Sequence, residues 1–223
     1  MNNRAGFERI SVQSIPLGSG SDQVILGTPT GDIECIFHWA DGHKGVVWLS
    51  GALGGFDGPS FGIFRNLSRE LVNEGVNSLR LSHRFPGDFE QCVFDVLVGI
   101  RFLEQLGIDR IALVGHSFGG AVAIMAGIMS ILVKTVVGLS SQTAGAQRVN
   151  ELSPVPLLLV HGDSDRILPV RCSQDLYRWA GEPKELVIYQ GSGHLLRECK
   201  EELHDLLKNW LTKRLDREPS ARR

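Results

Sequence analysis

The run Val114-Gly115-His116-Ser117-Phe118-Gly119-Gly120 sets a serine between two glycines directly after the apolar, strand-like Ile111-Ala112-Leu113-Val114. A strand that must turn at once into a small-residue helix leaves the serine on strained backbone angles. Glycines on either side keep the neighbouring side chains from clashing there. The hydroxyl is thereby held up and exposed. The helix expected next, about residues 119–131, aims its N-terminal amides and the positive end of its dipole at any anion that forms beside that oxygen.

The rest of the chain keeps the same alternation of strand and helix, which argues for a mostly parallel sheet of about eight strands with helices on both faces. Residues 8–17 and 32–39 read as early strands joined by a Gly-Ser-Asp turn region and forming an antiparallel edge; the parallel core begins at Gly45. A helix over 62–73 carries Leu67, Leu71 and Val72 on one stripe and stops at Gly75. Residues 79–84 form the next strand. A long helix over 89–106 then has Phe94, Leu97, Val98, Phe102 and Leu106 near helical spacing and ends at Gly107. Further helices are expected near 172–179 and at the C-terminal end, where Leu203, Leu206, Leu207, Trp210 and Leu211 share a face. Residues 1–223 read as a single domain, with the polar tail 212–223 expected to fray.

Composition bounds the partners. With 223 residues, 43% hydrophobic and 22% charged, the chain suits one α/β domain with a full core. A formal net charge of −2 favours neither nucleic acid nor an anionic membrane as partner. Cys35, Cys92, Cys172 and Cys199 are scattered without Cys-x-x-Cys spacing, so they give no metal or redox motif and fit a reduced, cytoplasmic protein. No basic stretch followed by an apolar core of about 7 to 15 residues opens the sequence, and no run approaches the length of a membrane span; neither export nor insertion is expected.

Two more segments end strands as the Ser117 run does. Val155-Pro156-Leu157-Leu158-Leu159-Val160 leads into His161-Gly162-Asp163-Ser164-Asp165-Arg166-Ile167-Leu168-Pro169, and Leu186-Val187-Ile188-Tyr189 opens into Gln190-Gly191-Ser192-Gly193-His194. With these the chain resembles the α/β-hydrolase family, in which a Gly-x-Ser-x-Gly nucleophile elbow is followed in chain order by an acid and a histidine. The resemblance runs from about Gly45 to the C-terminal helix. It is to compact members without a large cap, such as dienelactone-hydrolase-like and acyl-protein-thioesterase-like esterases.

The resemblance implies roles. In the family pattern the acid lies four residues after the histidine of His-Gly and four before a proline, which selects Asp165 over Asp163. A serine hydroxyl is a poor nucleophile until an imidazole can take its proton, the part assigned to His194. Asp165 would fix the imidazole tautomer and stabilise the imidazolium. The oxyanion needs preorganised donors. One is the Phe118 amide. The other comes from Ser50-Gly51-Ala52-Leu53-Gly54-Gly55, at Ala52 or Leu53; many members carry His-Gly where this chain has Ser50-Gly51. No cofactor or metal is required, and the partner is a small-molecule or acyl substrate. The implied activity is hydrolysis of a carboxylic ester or thioester.

Each of these residues also has a purely structural reading. A Gly-x-Ser-x-Gly run arises in glycine-rich turns, an aspartate such as Asp165 caps a turn through its own backbone, and His194 could be an ordinary loop histidine. Asp163 reads as a turn former and His161 as structural. His116, His83 and Ser141 are candidate pocket-lining residues, with Arg84 and Gln142 beside them. Trp39, Trp48 and Phe56 line or support the pocket. Only residues 144–153 lie where relatives insert a cap, so the pocket should be shallow and open. Peptidase or amidase chemistry shares the triad, and a ligand-binding protein without turnover shares the fold.

Overall fold

The computed structural model describes residues 10–18 and 20–216. Four neighbouring parallel strands are almost continuous buried runs, as expected of strands covered on both faces: β4 (Lys44–Leu49), β6 (Arg110–His116), β7 (Val133–Leu139) and β8 (Leu157–Gly162). Their side chains alternate between two cores. Val47, Leu49, Leu113, Val136 and Leu159 face one, where α2 (Phe89–Gln105), α3 (Phe118–Met129) and α4 (Arg171–Trp179) pack. Val46, Trp48, Val114, Val137 and Val160 face the other, against α1 (Pro59–Glu70) and α5 (Lys200–Asp216).

Together with β1 (Ser11–Gly18), β2 (Ser21–Thr28), β3 (Gly31–His38), β5 (Val76–Leu81) and β9 (Lys184–Tyr189), these strands make one nine-stranded sheet in the order β1-β2-β3-β5-β4-β6-β7-β8-β9. Strands β1 to β3 pair antiparallel with one another and β3 pairs antiparallel with β5; every pair from β5 to β9 is parallel. The sheet thus has one more strand than expected. The extra strand is β2, whose two inward residues, Val24 and Leu26, are buried in a segment that otherwise reads as polar linker. The start of the first expected strand, at Glu8, lies outside the described residues.

Helix α1 starts irregularly. Ser60, Phe61 and Gly62 have left-handed angles (φ 49, 57 and 86), so regular helix begins past Gly62, where the sequence places it. A 3-10 turn over Leu71–Glu74 extends it to Gly75, whose φ of 66 closes the helix as expected. The expectation for the tail needs correction. Residues 212–216 belong to α5, because Leu215 continues the Leu207-Leu211 stripe and is fully buried. Arg110 Nε donates to the Leu215 carbonyl at 2.7 Å, and Lys44 pairs with Asp216 at 2.8 Å. The remainder of the expected tail, 217–223, lies outside the described residues. The connection from β7 to β8 carries a single 3-10 turn, Val149–Leu152, packed against α3, and no cap. No helix among the described residues is long and apolar enough to cross a membrane.

Since β4, β6, β8 and β9 run parallel, the loops that leave them open on one edge of the sheet, the usual place for a site in this architecture.

Candidate active site

Ser117 sits between β6 and α3 with φ 56 and ψ −118, outside both strand and helix regions. Such a conformation costs on the order of 1–3 kcal/mol and survives only when its surroundings enforce it. They do so here by hydrogen bonds and by close backbone approach. The Ser117 amide donates to the Leu139 carbonyl at the end of β7 (2.8 Å), and the Ser117 carbonyl accepts from Gly120 and Gln142 amides (3.1 and 3.3 Å). A Cβ on Gly115 would overlap the Gly119 carbonyl, and one on Gly119 would overlap the Ser50 carbonyl at the end of β4. The glycines are therefore required by the tightness of the turn. The Phe118 amide, first in α3, has no intrahelical acceptor. Among the described residues the Ser117 hydroxyl makes no hydrogen bond.

The loops after β8 and β9 are laced together. Asp163 and Ser164 amides donate to the Tyr189 and Ser192 carbonyls (3.1 and 3.0 Å), and the Gly191 amide donates to Asp163 Oδ1 (2.7 Å). A Cβ on Gly162 would overlap the Ser192 carbonyl, so only glycine allows this approach. The lacing brings Asp165 to His194. Asp165 Oδ1 accepts from the Ile167 and Leu168 amides (2.7 and 2.9 Å), and Oδ2 accepts from His194 Nδ1–H (2.7 Å). Burial raises the Asp165 pKa, but the hydrogen bonds from His194 and the two amides outweigh it, and the net shift is below the ordinary carboxylate value. Asp165 therefore stays ionised, and His194 carries its proton on Nδ1, leaving Nε2 as acceptor.

His116 holds His194 from behind. Its Nε2–H donates to the His194 carbonyl (3.0 Å), and the two rings lie 4.8 Å apart. Burial pushes the His116 pKa down to about 4, so it remains neutral beside His194.

Ser117, His194 and His116 line one cavity of about 830 Å³ together with the Ser50–Gly58 loop, Ile36, Ile167 and Leu195. A turn closed by the Gly54 amide on the Gly51 carbonyl (2.9 Å) leaves the Ala52 and Leu53 amides without an acceptor among the described residues, and both residues border the cavity. Phe56 lines it as well, whereas Trp48 is core, tilted against Phe64 at 5.1 Å, and Trp39 packs edge-on to Phe37. Two expected lining residues are absent from this cavity. His83 is buried, its ring edge-on to Phe118 at 6.3 Å, and burial lowers its pKa to about 4. Ser141 is buried beneath the turn, 2.6 Å from where a Gly120 Cβ would stand, and donates to the Gln142 carbonyl. Arg84 is tied to Asp95 and to Thr28 and Thr30 of the β2–β3 turn, a structural anchor. The apolar wall formed by Ile36, Ile167 and Leu195 was not legible as such. Ile36 lies on a strand far away in sequence, while Ile167 could have been found from the turn that Asp165 caps.

Residues 91–214 match the model of the Phospholipase/Carboxylesterase family, a stretch that holds Ser117, Asp165 and His194. An uncharacterized protein, YfhR of Escherichia coli O157:H7, is 27% identical over 119 residues, 43% of this chain. The chain spans only 42% of that curated relative's length. Among solved structures, the α/β hydrolase GrgF from Penicillium sp. sh18 superposes with a TM-score of 0.73 at 15% identity, over 90% of this chain and 99% of that one. Dienelactone hydrolase from Anabaena variabilis gives 0.71 at 16% identity, over 92% and 98%. Fold and family model agree: the chain belongs to the Phospholipase/Carboxylesterase family, on the α/β-hydrolase fold.

Proposed function

We propose that the protein is a serine hydrolase that cleaves a carboxylic ester or thioester through an acyl-enzyme on Ser117. His194 Nε2 takes the hydroxyl proton as Ser117 Oγ attacks the carbonyl carbon, and then returns it to the departing alkoxide or thiolate. Asp165 holds His194 in the required tautomer and balances the imidazolium. The oxyanion is received by the Phe118 amide and by that of Ala52 or Leu53. Water, activated by the same imidazole, releases the acid.

The observation that carries this reading is the 2.7 Å hydrogen bond between His194 Nδ1 and a buried, ionised Asp165, beside the same cavity that Ser117 lines from its strained turn. The family match and the likeness to a dienelactone hydrolase support ester chemistry in particular. The partner is then a small-molecule or acyl substrate. Four unpaired cysteines support a reducing, cytoplasmic setting.

The test is a fluorophosphonate probe at neutral pH, with the modified peptide mapped by mass spectrometry. Labelling is expected at Ser117 and should be lost in Ser117→Ala and in His194→Ala. A folded wild type that takes no label would remove the hydrolase reading in favour of a binding protein on the same fold.

A further inference from the structure

Behind Asp165 lies a second imidazole. His161, the penultimate residue of β8, has no exposed surface, yet both ring nitrogens are within hydrogen-bond reach of partners. Nδ1 lies 2.7 Å from Ser173 Oγ on α4. Nε2 lies 3.1 Å from Asp165 Oδ2 and 3.1 Å from the Leu168 carbonyl. A carboxylate and a carbonyl can only accept, so Nε2 carries the hydrogen, and the Ser173 hydroxyl must then donate to Nδ1. Oδ2 is the atom that also binds His194 Nδ1, while Oδ1 is occupied by two backbone amides. All of the carboxylate's principal acceptor directions are thus filled, and its plane is fixed.

We propose that His161 is a positioning residue for Asp165: its Nε2–H holds Oδ2 in line with His194 Nδ1, and the Ser173 hydroxyl locks His161 in the only tautomer that can do so. This rests on the hydrolase reading above. A chain Ser173, His161, Asp165, His194 then runs from α4 to the cavity. Other titratable groups around it are His116 at the end of β6 and Cys172 and Asp175 on α4. Burial lowers the His161 pKa, so it donates as a neutral ring and adds no charge beside His194. Its donation shares the negative charge of Oδ2, which tempers how strongly Asp165 holds the proton of His194. Ordinary core packing asks for none of this, since a fully buried ring at the end of β8 could as well be phenylalanine.

The experiment compares hydrolysis of p-nitrophenyl acetate by the wild type, His161→Phe, His161→Gln and Ser173→Ala. His161→Phe keeps the ring volume without the donor; His161→Gln keeps an N–H near the Nε2 position. In metal sites, outer partners that orient a ligating histidine or carboxylate are worth about tenfold in activity or more, and an effect of that order is expected here. In His161→Phe, kcat is expected to fall by about that factor with KM nearly unchanged, and the acidic limb of kcat/KM to move to higher pH. His161→Gln should recover most of kcat and return the limb towards its place. Ser173→Ala, which removes one hydroxyl, should move the limb in the same direction by less, and it carries the test if His161→Phe fails to fold. The proposal is overturned if folded His161→Phe, or failing that Ser173→Ala, keeps the wild-type kcat and pH profile. It is equally overturned if the Phe and Gln variants fall together with an unmoved profile. A wild type that neither turns over nor labels at Ser117 removes the hydrolase reading and this one with it.

Discussion

Asp163 and Asp165 stand two positions apart in one loop, and what their oxygens meet separates their roles. Asp163 Oδ1 accepts from the adjacent Ser164 hydroxyl and from the Gly191 amide of the β9 loop, and so ties the β8 and β9 loops. Asp165 caps its own turn with Oδ1 and turns Oδ2 to His194. The turn-capping and the catalytic readings of Asp165 are therefore compatible, one on each oxygen. Asp165→Asn would keep the shape and present an amide where the imidazole N–H points, favouring the wrong tautomer; in the serine-protease template that exchange lowers kcat by about 10⁴. We expect a loss of 10³ or more in Asp165→Asn, and in Asp163→Asn a kcat within about threefold of wild type with stability lower by about 1 kcal/mol. Ester turnover and thermal melts of the two variants check this, and equal losses would contradict the assignment. At this scale the sequence was legible where spacing is local, as in Gly115-x-Ser117-x-Gly119 and His161-x-x-x-Asp165. Long-range neighbours were not. His161 meets Ser173 across two elements, and His83 leaves a strand at the right edge but turns into the core against Phe118.

Elements were legible in proportion to how continuous their apolar pattern is. Strands β4, β6 and β8 each hold an unbroken apolar run of four, residues 46–49, 111–114 and 157–160, and α2 carries a stripe that ends at Gly107, whose φ is 81. Strand β2 was missed because only Val24 and Leu26 turn inward, a two-residue signal in a segment rich in polar and turn-forming residues. The end of α5 was missed for a different reason. Thr212, Lys213, Arg214 and Asp216 look like solvated tail, and Leu215 alone among them keeps the period of four from Leu207 and Leu211. Its burial against the β4 and β6 side of the sheet gives that one side chain weight beyond its surroundings. Leu215→Ala is expected to cost about 2–5 kcal/mol, the range for leucine truncation in a core. Urea unfolding would measure it. A cost below about 0.5 kcal/mol would mean that the last turn of α5 contributes little to the fold.

At the scale of the whole molecule, four buried histidines set how the fold responds to acid; burial lowers the pKa of His161, and three others, His38, His83 and His116, are shifted further. His38 is desolvated and faces Arg80, whose guanidinium lies 3.3 Å from its Nε2. His83 and His116 are held down chiefly by burial, and among the described residues neither nitrogen of His83 finds a partner. Each is lowered from 6.5 to about 4. Well above pH 6.5 these groups are neutral in both folded and unfolded chains and do not affect stability. Between 6.5 and 4 the unfolded chain takes up protons that the folded one refuses, so stability falls as pH falls through that window. A shift of this size is on the order of 3 kcal/mol per histidine, and three such groups are comparable with the whole stability of a domain. Asp95, whose pKa burial raises, works in the opposite direction at the acid end and softens the slope. The melting temperature is therefore expected to be level near pH 7 to 8 and to drop steeply between pH 6.5 and 4.5. Because His83 has no hydrogen bond to lose, His83→Phe isolates one of the three. It should melt close to wild type at pH 7.5, apart from a constant packing difference, and gain on it progressively as pH falls to 5. Parallel melting curves for the two proteins across that range would show that His83 accepts a proton in the folded state, and that its pocket admits water or a counter-charge.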